Sequence, residues 1–256
     1  MAKLTVRGIT RGYGGEPIID GFDLQVGAGK ALALIGPNGA GKTTLLQTIA
    51  GQLEPEAGDV RAGAATLAAD RLEFRRILAY VPDNPVLFDD LTLNEHLEFT
   101  AAAFGVTAAD AAERSEDLLE RFGLSHRADE LPGTFSRGMR QRAQLCCAFL
   151  RPAGVMLIDE PFVGLDPIGM RTLIDLCLER KAEGCAFVVA THVLGAIQRF
   201  CDELGVLADG EVMARGTPAK LLAKYKASTV DDLFVALVGD AAYEHSQHGD
   251  GAEDGS

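Results

Sequence analysis

The sequence predicts an α/β fold. Three observations carry the prediction. Short continuous apolar runs recur at residues 31–36 (ALALIG), 154–161 (GVMLIDEP) and 185–192 (CAFVVATH), each stopping at a glycine, an acid or a histidine. Runs of this length suit strands buried on both faces. Stretches with a helical period lie between them, and the first thirty residues alternate in the manner of antiparallel strands.

Taken in order, KLTVRGI (3–9) and FDLQV (22–26) read as short strands separated by the turn-rich GYGGEP. ALALIG reads as a buried strand. From Lys42 the pattern turns helical, and KTTLLQTIAG stops at Gly51. RILAYVP (76–82) is a further strand-like run closed by Pro82. Residues 93–150 change character: LNEHLEFTAAAFG and AADAAERSEDLLERFGL have helical period, with Gly105 and Gly123 as stops. The block from about 84 to 150 therefore reads as a helical insertion. LGVLADGEVMARG (204–216) reads as a hairpin around Asp209 and Gly210. STVDDLFVALVGD places a short amphipathic helix within 227–240. The end, 241–256, is acidic and free of Lys and Arg, and reads as a disordered tail.

The bulk numbers restrict function. A chain of 256 residues with 47% hydrophobic residues can build a substantial core. A formal net charge of -13 argues against a broad nucleic-acid footprint, which needs an extended basic surface. The five cysteines (146, 147, 177, 185, 201) form no CxxC pair and lack a histidine at metal spacing, so they read as free thiols of a reducing compartment. The start, MAKLTVRGIT, has no apolar run of a signal peptide, and no stretch is apolar for the ~18 residues a membrane span needs. Any membrane-spanning part is expected on another chain.

One motif carries explicit chemistry. GPNGAGKT, residues 36–43, matches G-x-x-x-x-G-K-[ST] after a strand and at the start of a helix. Gly36, Pro37, Asn38, Gly39, Ala40 and Gly41 form the loop, whose glycines let backbone N–H groups (Pro37 has none) turn toward an anion, with the helix dipole behind them. Lys42 reaches β- and γ-phosphates, the Thr43 hydroxyl suits Mg²⁺, and Thr44 completes the helix entry. Asp159 and Glu160 emerge together from the buried run VMLID. In a phosphate-loop enzyme the first supports Mg²⁺ and the second orients and polarises a water. Alone, the pair could be a solvated loop; beside the phosphate loop it becomes a candidate site. His192 ends the third apolar run, where a structural role competes with contact to a γ-phosphate.

FSRGMRQR (135–142) puts three arginines into eight residues of an acidic chain. Ser136 suits an N-cap, and Met139, Ala143, Cys146 or Cys147, and Leu150 form one apolar face.

Together these motifs resemble the ATPase subunit of an ATP-binding cassette transporter, over about residues 3–226. GPNGAGKT resembles the Walker A loop, VMLIDEP the Walker B strand, GLDP (164–167, with Asp166) the D-loop, and THV the switch histidine. The resemblance implies a P-loop NTPase core with an antiparallel β subdomain and an α-helical subdomain, a cassette domain spanning 1–226. It implies that Tyr13 stacks on adenine and that Asp83 stands at the Q-loop glutamine, as a further candidate near the metal. FSRGM stands where the signature belongs, so Ser136, Arg137, Gly138 and Met139 would meet the ATP held by an opposite subunit. Two departures stand out: Arg137 replaces the first signature glycine and Met139 the glutamine, and Asp83 replaces the Q-loop glutamine.

The resemblance further implies ATP and Mg²⁺ as ligands, a second ATPase subunit in a homodimer or heterodimer, and a separate transmembrane permease. YVPDNPVLFDDLTLNEHL resembles the subgroup serving separate permeases, mostly bacterial exporters, which places the chain at the inner face of the cell membrane. Phe88, Leu91, Leu93 and Phe99 are candidates for the groove that receives the permease, or for the core of the helical subdomain. A second reading is a soluble cassette ATPase of the iron–sulfur assembly type. A third, a binding regulator without turnover, expects a lost carboxylate or histidine, whereas Glu160 and His192 are both present.

Overall fold

A computed structural model describes residues 3–239. The chain opens with an antiparallel hairpin, β1 (Leu4–Gly12) and β2 (Pro17–Val26), whose strands extend beyond the alternating segments read from sequence. β3 (Ala31–Ile35) is buried at every residue and leads through residues 36–41 into α1 (Lys42–Ile49). β4 (Ala57–Ala62) and the two-residue β5 (Ala65–Thr66) complete the sheet begun by the hairpin. α2 (Arg71–Ile77) and β6 (Leu78–Val81) follow without a loop.

That junction corrects the sequence reading of 76–82 as one strand. Arg76 and Ile77 end α2, and the strand starts at Leu78. Asp70 caps the helix by accepting from the Glu73 N–H at 3.1 Å, and Arg75 and Arg76 sit in its last turn. Both arrangements favour a helix locally.

Three helices come next: α3 (Leu93–Phe104), α4 (Ala108–Arg121) and α5 (Arg137–Leu150). Thr92, Thr107 and Ser136 cap them, each accepting from the N–H three residues on. β7 (Val155–Asp159), α6 (Pro167–Ala182), β8 (Ala186–Ala190) and the single turn α7 (Leu194–Ile197) return the chain to the main sheet. β9 (Glu203–Ala208) and β10 (Glu211–Gly216) form the hairpin around Asp209 and Gly210, which both adopt positive φ (48° and 76°), as a tight type I′ turn requires. α8 (Pro218–Tyr225) and α9 (Val230–Val238) close the described chain. Residue 240 and the acidic stretch 241–256 lie outside the described residues.

The main sheet has the order β10-β9-β3-β8-β7-β6, parallel throughout except for β10. It divides two apolar cores. Alternate residues of one strand enter opposite cores: Ala33 and Ile35 face the helices α3 to α7, whereas Leu32 and Leu34 face α1 and the antiparallel sheet. Burial on both faces explains why β3, β7 and β8 are continuous apolar runs. Leu221 of α8 and Val230, Leu233 and Phe234 of α9 join the first of these cores. All five cysteines are free thiols, with Cys146, Cys177 and Cys185 buried.

Register positions the site. Leu34 pairs with Ala190, and Ala190 with Asp159, so β3, β8 and β7 end level at one edge. Val81 of β6 pairs with Ile158, which brings Asp83 to the same edge. The crevice beyond the carboxyl ends of parallel strands is where such sheets bind ligands.

Candidate nucleotide-binding site

The loop after β3 forms the centre. Gly41 holds φ 91° as the N-cap of α1, a conformation that suits only glycine here. A Cβ at this position would also lie 2.8 Å from Ile19 Cδ1, so β2 packs directly on the loop. Asn38 and Gly39 form its exposed crown, while Gly36 and Ala40 are buried and Pro37 is half-buried. Lys42 is only 7% exposed, and its ammonium donates to the carbonyls of Gly36 (2.8 Å) and Pro37 (3.0 Å). Burial lowers its pKa below the usual lysine value, against the pull of the Glu160 and Asp159 carboxylates. Thr43 is exposed at the helix start, and the Thr44 carbonyl accepts from the Thr48 hydroxyl at 2.7 Å.

Asp159, at the end of β7, is wholly buried, and neither carboxylate oxygen has a hydrogen bond of good geometry. Burial pushes its pKa up to about 6; Glu160 and Asp83 push the same way, while the Thr43 hydroxyl and Lys42 oppose. Two unsatisfied buried oxygens next to a threonine hydroxyl are the donor set of a hard divalent cation. Asp159 and Thr43 therefore fit Mg²⁺ on their own chemistry. Tyr80, on β6, places its phenol near Asp159 and Gln47, and burial followed by the charge of Asp159 raises its pKa. The sequence reading missed it, because a tyrosine inside an apolar strand gives no signal of which face it takes.

Glu160 adopts φ 42°, which is rare for a residue with a side chain. Its N–H donates to the Ala190 carbonyl at the end of β8 (2.8 Å). Its Oε2 accepts from the His192 N–H at 3.2 Å and lies 3.0 Å from His192 Nδ1. The histidine thus fixes the carboxylate with both backbone and ring. Strain at such a residue persists when its surroundings over-determine it, as these contacts do.

Tyr13 lies in the turn between β1 and β2 and is 60% exposed, with the Arg11 guanidinium 5.3 Å from its ring centre. Asp83 is half-buried in the loop after β6.

The remaining sequence candidates form a second surface at the N-terminus of α5. Ser136 Oγ accepts from the Met139 N–H at 3.3 Å. A Cβ on Gly138 would overlap the Gly164 carbonyl oxygen, so the glycine is required by close packing of this helix on the turn before α6. Asp166 caps α6 by accepting from the Gly169 N–H at 2.7 Å, and Arg142 pairs with the same carboxylate oxygen at 2.8 Å. The Gly169 N–H, then Arg142, hold the Asp166 carboxyl below its usual range. Arg140 donates to the Pro132 carbonyl (3.1 Å). Arg137 is exposed and makes no hydrogen bond or ion pair among the described residues. It sits in the first turn of a helix, where the dipole favours anions rather than cations. Among the described residues, no hydrogen bond or ion pair joins Ser136, Arg137, Gly138 or Met139 to residues 36–44.

Of the candidates for a docking groove, Phe88 and Phe99 are exposed and pack edge to face at 5.7 Å, with exposed Val86 nearby in sequence. Leu91 is half-buried. Leu93 is fully buried in the core, because the capped start of α3 turns it inward.

A strand–loop–helix cradle with a buried aspartate at the end of a parallel strand two places away in the same sheet defines a phosphate-loop nucleotide-binding domain. The comparisons sharpen that class. The family model for ABC transporters matches residues 19–163. The ABC-type transporter ATP-binding protein EcsA of Bacillus subtilis is 37% identical over 247 residues, covering 95% of this chain and all of the relative. The Nod factor export ATP-binding protein I of Ralstonia nicotianae is 33% identical over 219 residues, covering 86% and 68%. A solved ATP-binding subunit of an ABC transporter superposes with a TM-score of 0.87 at 37% identity, covering 91% of this chain and 98% of that one. The chain belongs to the ABC transporter family, as an ATP-binding subunit with the ABC ATPase fold. ATP-binding subunits of this family work with transmembrane permeases. No helix among the described residues is long and apolar enough to cross a membrane.

Proposed function

We propose that this chain hydrolyses ATP in a pair with a second ATPase subunit, a copy or a relative, and so powers export through a separate permease at the inner face of the membrane. The observation that carries the reading is the convergence of Lys42, Asp159, Glu160 and His192 at one edge of the parallel sheet. The loop N–H groups and Lys42 bind the β- and γ-phosphates. Asp159 and Thr43 would hold Mg²⁺, which when bound neutralises charge on the phosphate oxygens. Tyr13 stacks on adenine. Glu160, aimed by its backbone and by His192, orients a water in line with the γ-phosphorus and accepts its proton as the P–O bond to ADP breaks. His192 Nε2, on the ring edge opposite Glu160, is the atom we assign to the γ-phosphate. Asp83 approaches the same end from β6.

The second surface has its use across a dimer. Ser136, Gly138 and the unpaired Arg137 would meet the γ-phosphate held by the other subunit, with Met139 and Asp166 shaping the contact. An arginine here suits an anion better than the helix that carries it. The transporter relatives favour this reading over a soluble iron–sulfur assembly ATPase, and the similarity to a Nod factor export protein supports export. Val86, Phe88 and Phe99 form the exposed apolar face that we assign to the permease.

The test is Glu160→Gln. We expect turnover to fall by about 10²-fold or more, with ATP affinity retained, in a phosphate-release assay beside a nucleotide-binding titration. Unchanged turnover would remove Glu160 from the role of base.

A further inference from the structure

The loop that carries Asp83 has an unusual attachment. It runs from Pro82 to Leu91, PDNPVLFDDL, with two prolines within its first four residues. Gln144, 7% exposed on α5, holds its first half by both ends of one amide. Gln144 Oε1 accepts from the Val86 N–H at 2.8 Å, and Nε2 donates to the Pro82 carbonyl at 2.9 Å. Pro82 O and Val86 N are an i, i+4 pair. In a helical turn they would bond to each other. Pro85 disfavours that conformation for Asn84, and the side-chain amide of Gln144 takes the place of the missing turn. The second half is fixed similarly: the Phe88 N–H donates to His96 Nε2 at 2.8 Å, and His96 Nδ1 lies 2.8 Å from the Thr92 carbonyl. Because Nε2 accepts, Nδ1 carries the proton and the ring is the neutral tautomer.

From this geometry we infer that Gln144 is a positioning residue that locks the Asp83 loop to the signature helix. The inference rests on the reading of Asp83 and Ser136 as nucleotide-facing residues. Gln144 lies about two turns beyond Ser136 on the same helix, and a helix moves as a rod over that distance. Two residues earlier, Arg142 ties α5 to Asp166. Helix α5 is thus fastened to two loops, one carrying Asp166 and the other carrying Asp83 together with exposed Val86 and Phe88. A displacement of Ser136 toward the opposite subunit's ATP is passed to Asp83 in its own subunit's site and to the permease-facing apolar patch. The bond is made by a largely buried amide with both of its polar atoms used, so an apolar replacement leaves two backbone groups unsatisfied in the loop rather than in the core.

The test compares the full chain with Gln144→Leu, which replaces the amide by an apolar side chain of similar bulk, and Gln144→Glu, which keeps the acceptor but loses the donor. The readouts are kcat and KM for ATP, the thermal midpoint, and amide hydrogen exchange at Val86 and along β7. We expect kcat to fall about tenfold in Gln144→Leu, with KM within about twofold, because loop misplacement acts on the reacting geometry rather than on phosphate binding. Val86 should exchange at least about tenfold faster, with β7 exchange unchanged, and Gln144→Glu should fall between the two. A Gln144→Leu enzyme that matches wild type in kcat within about twofold overturns the inference, and so does a parallel loss of KM, midpoint and β7 protection. If the wild-type chain with its partners shows no turnover, the functional reading itself falls and this inference with it; a working wild type beside an unaffected variant removes only the role of Gln144.

Discussion

Glu160 shows how one residue's conformation is decided by its neighbours. Its positive φ places the side chain toward His192, and the Ala190 carbonyl and His192 N–H hold it there. The acid pair was legible in the sequence, because carboxylates directly after a buried run can only emerge at a strand end. The division of labour proposed for the two rests on their order, but the lack of a well-formed hydrogen bond at either Asp159 oxygen was not legible, since it depends on what packs over them. Gly138 illustrates the reverse. Its sequence position suggested close approach of an anion, whereas the structure adds a contact within the subunit, the Gly164 carbonyl against its Cα. We expect Gly138→Ala to destabilise the chain by about 1–3 kcal/mol through overpacking, measured by urea unfolding. Equal or greater stability would show that the turn before α6 yields freely and that the contact is not restrictive.

Among the elements, those defined by local chemistry were the readable ones. The β9–β10 hairpin follows from Asp209-Gly210, and α3 stops at Gly105 because glycine takes the left-handed cap. β4, β5, α2 and α6 were not identified. β4 (AGDVRA) is short and interrupted by Asp59 and Arg61, and α6 mixes polar and apolar residues so evenly around its axis that no stripe announces it. The attachment of the Asp83 loop joins residues 58 and 62 positions apart, a separation no local pattern records. The C-terminal helix was visible as an amphipathic stretch, and the structure adds the Thr229–Asp232 capping box at its start. Its docking into the main core makes it structural: Leu233 is fully buried beside the α8 residue Leu221. Leu233→Ala should cost about 2–5 kcal/mol, read as a shift in the urea midpoint at constant slope. A cost below about 1 kcal/mol would mean that α9 detaches from the core.

At the scale of the molecule, the sheet separates two jobs. The core on one side supports the phosphate loop and the β1–β2 hairpin, and the core on the other supports α5 and the loops that we assign to partners. The two candidate surfaces, the phosphate loop with Asp159 and the start of α5 with Arg137, share no hydrogen bond or ion pair among the described residues. Two candidate surfaces left separate within one chain are the geometry expected if, as proposed, ATP is enclosed between two chains. A formal net charge of -13 opposes self-association at low salt, so we expect pairing to depend on contacts made through bound ATP. Arg137 supplies positive charge at the surface where that ligand would sit. The most direct measurement is the mass in solution of the Glu160→Gln chain by light scattering, with and without saturating Mg-ATP, beside the same variant carrying Lys42→Ala. The account predicts twice the monomer mass with Mg-ATP, monomer without it, and monomer throughout when Lys42 is replaced. A Glu160→Gln chain that binds ATP yet stays monomeric, or one that pairs regardless of ATP, would contradict it.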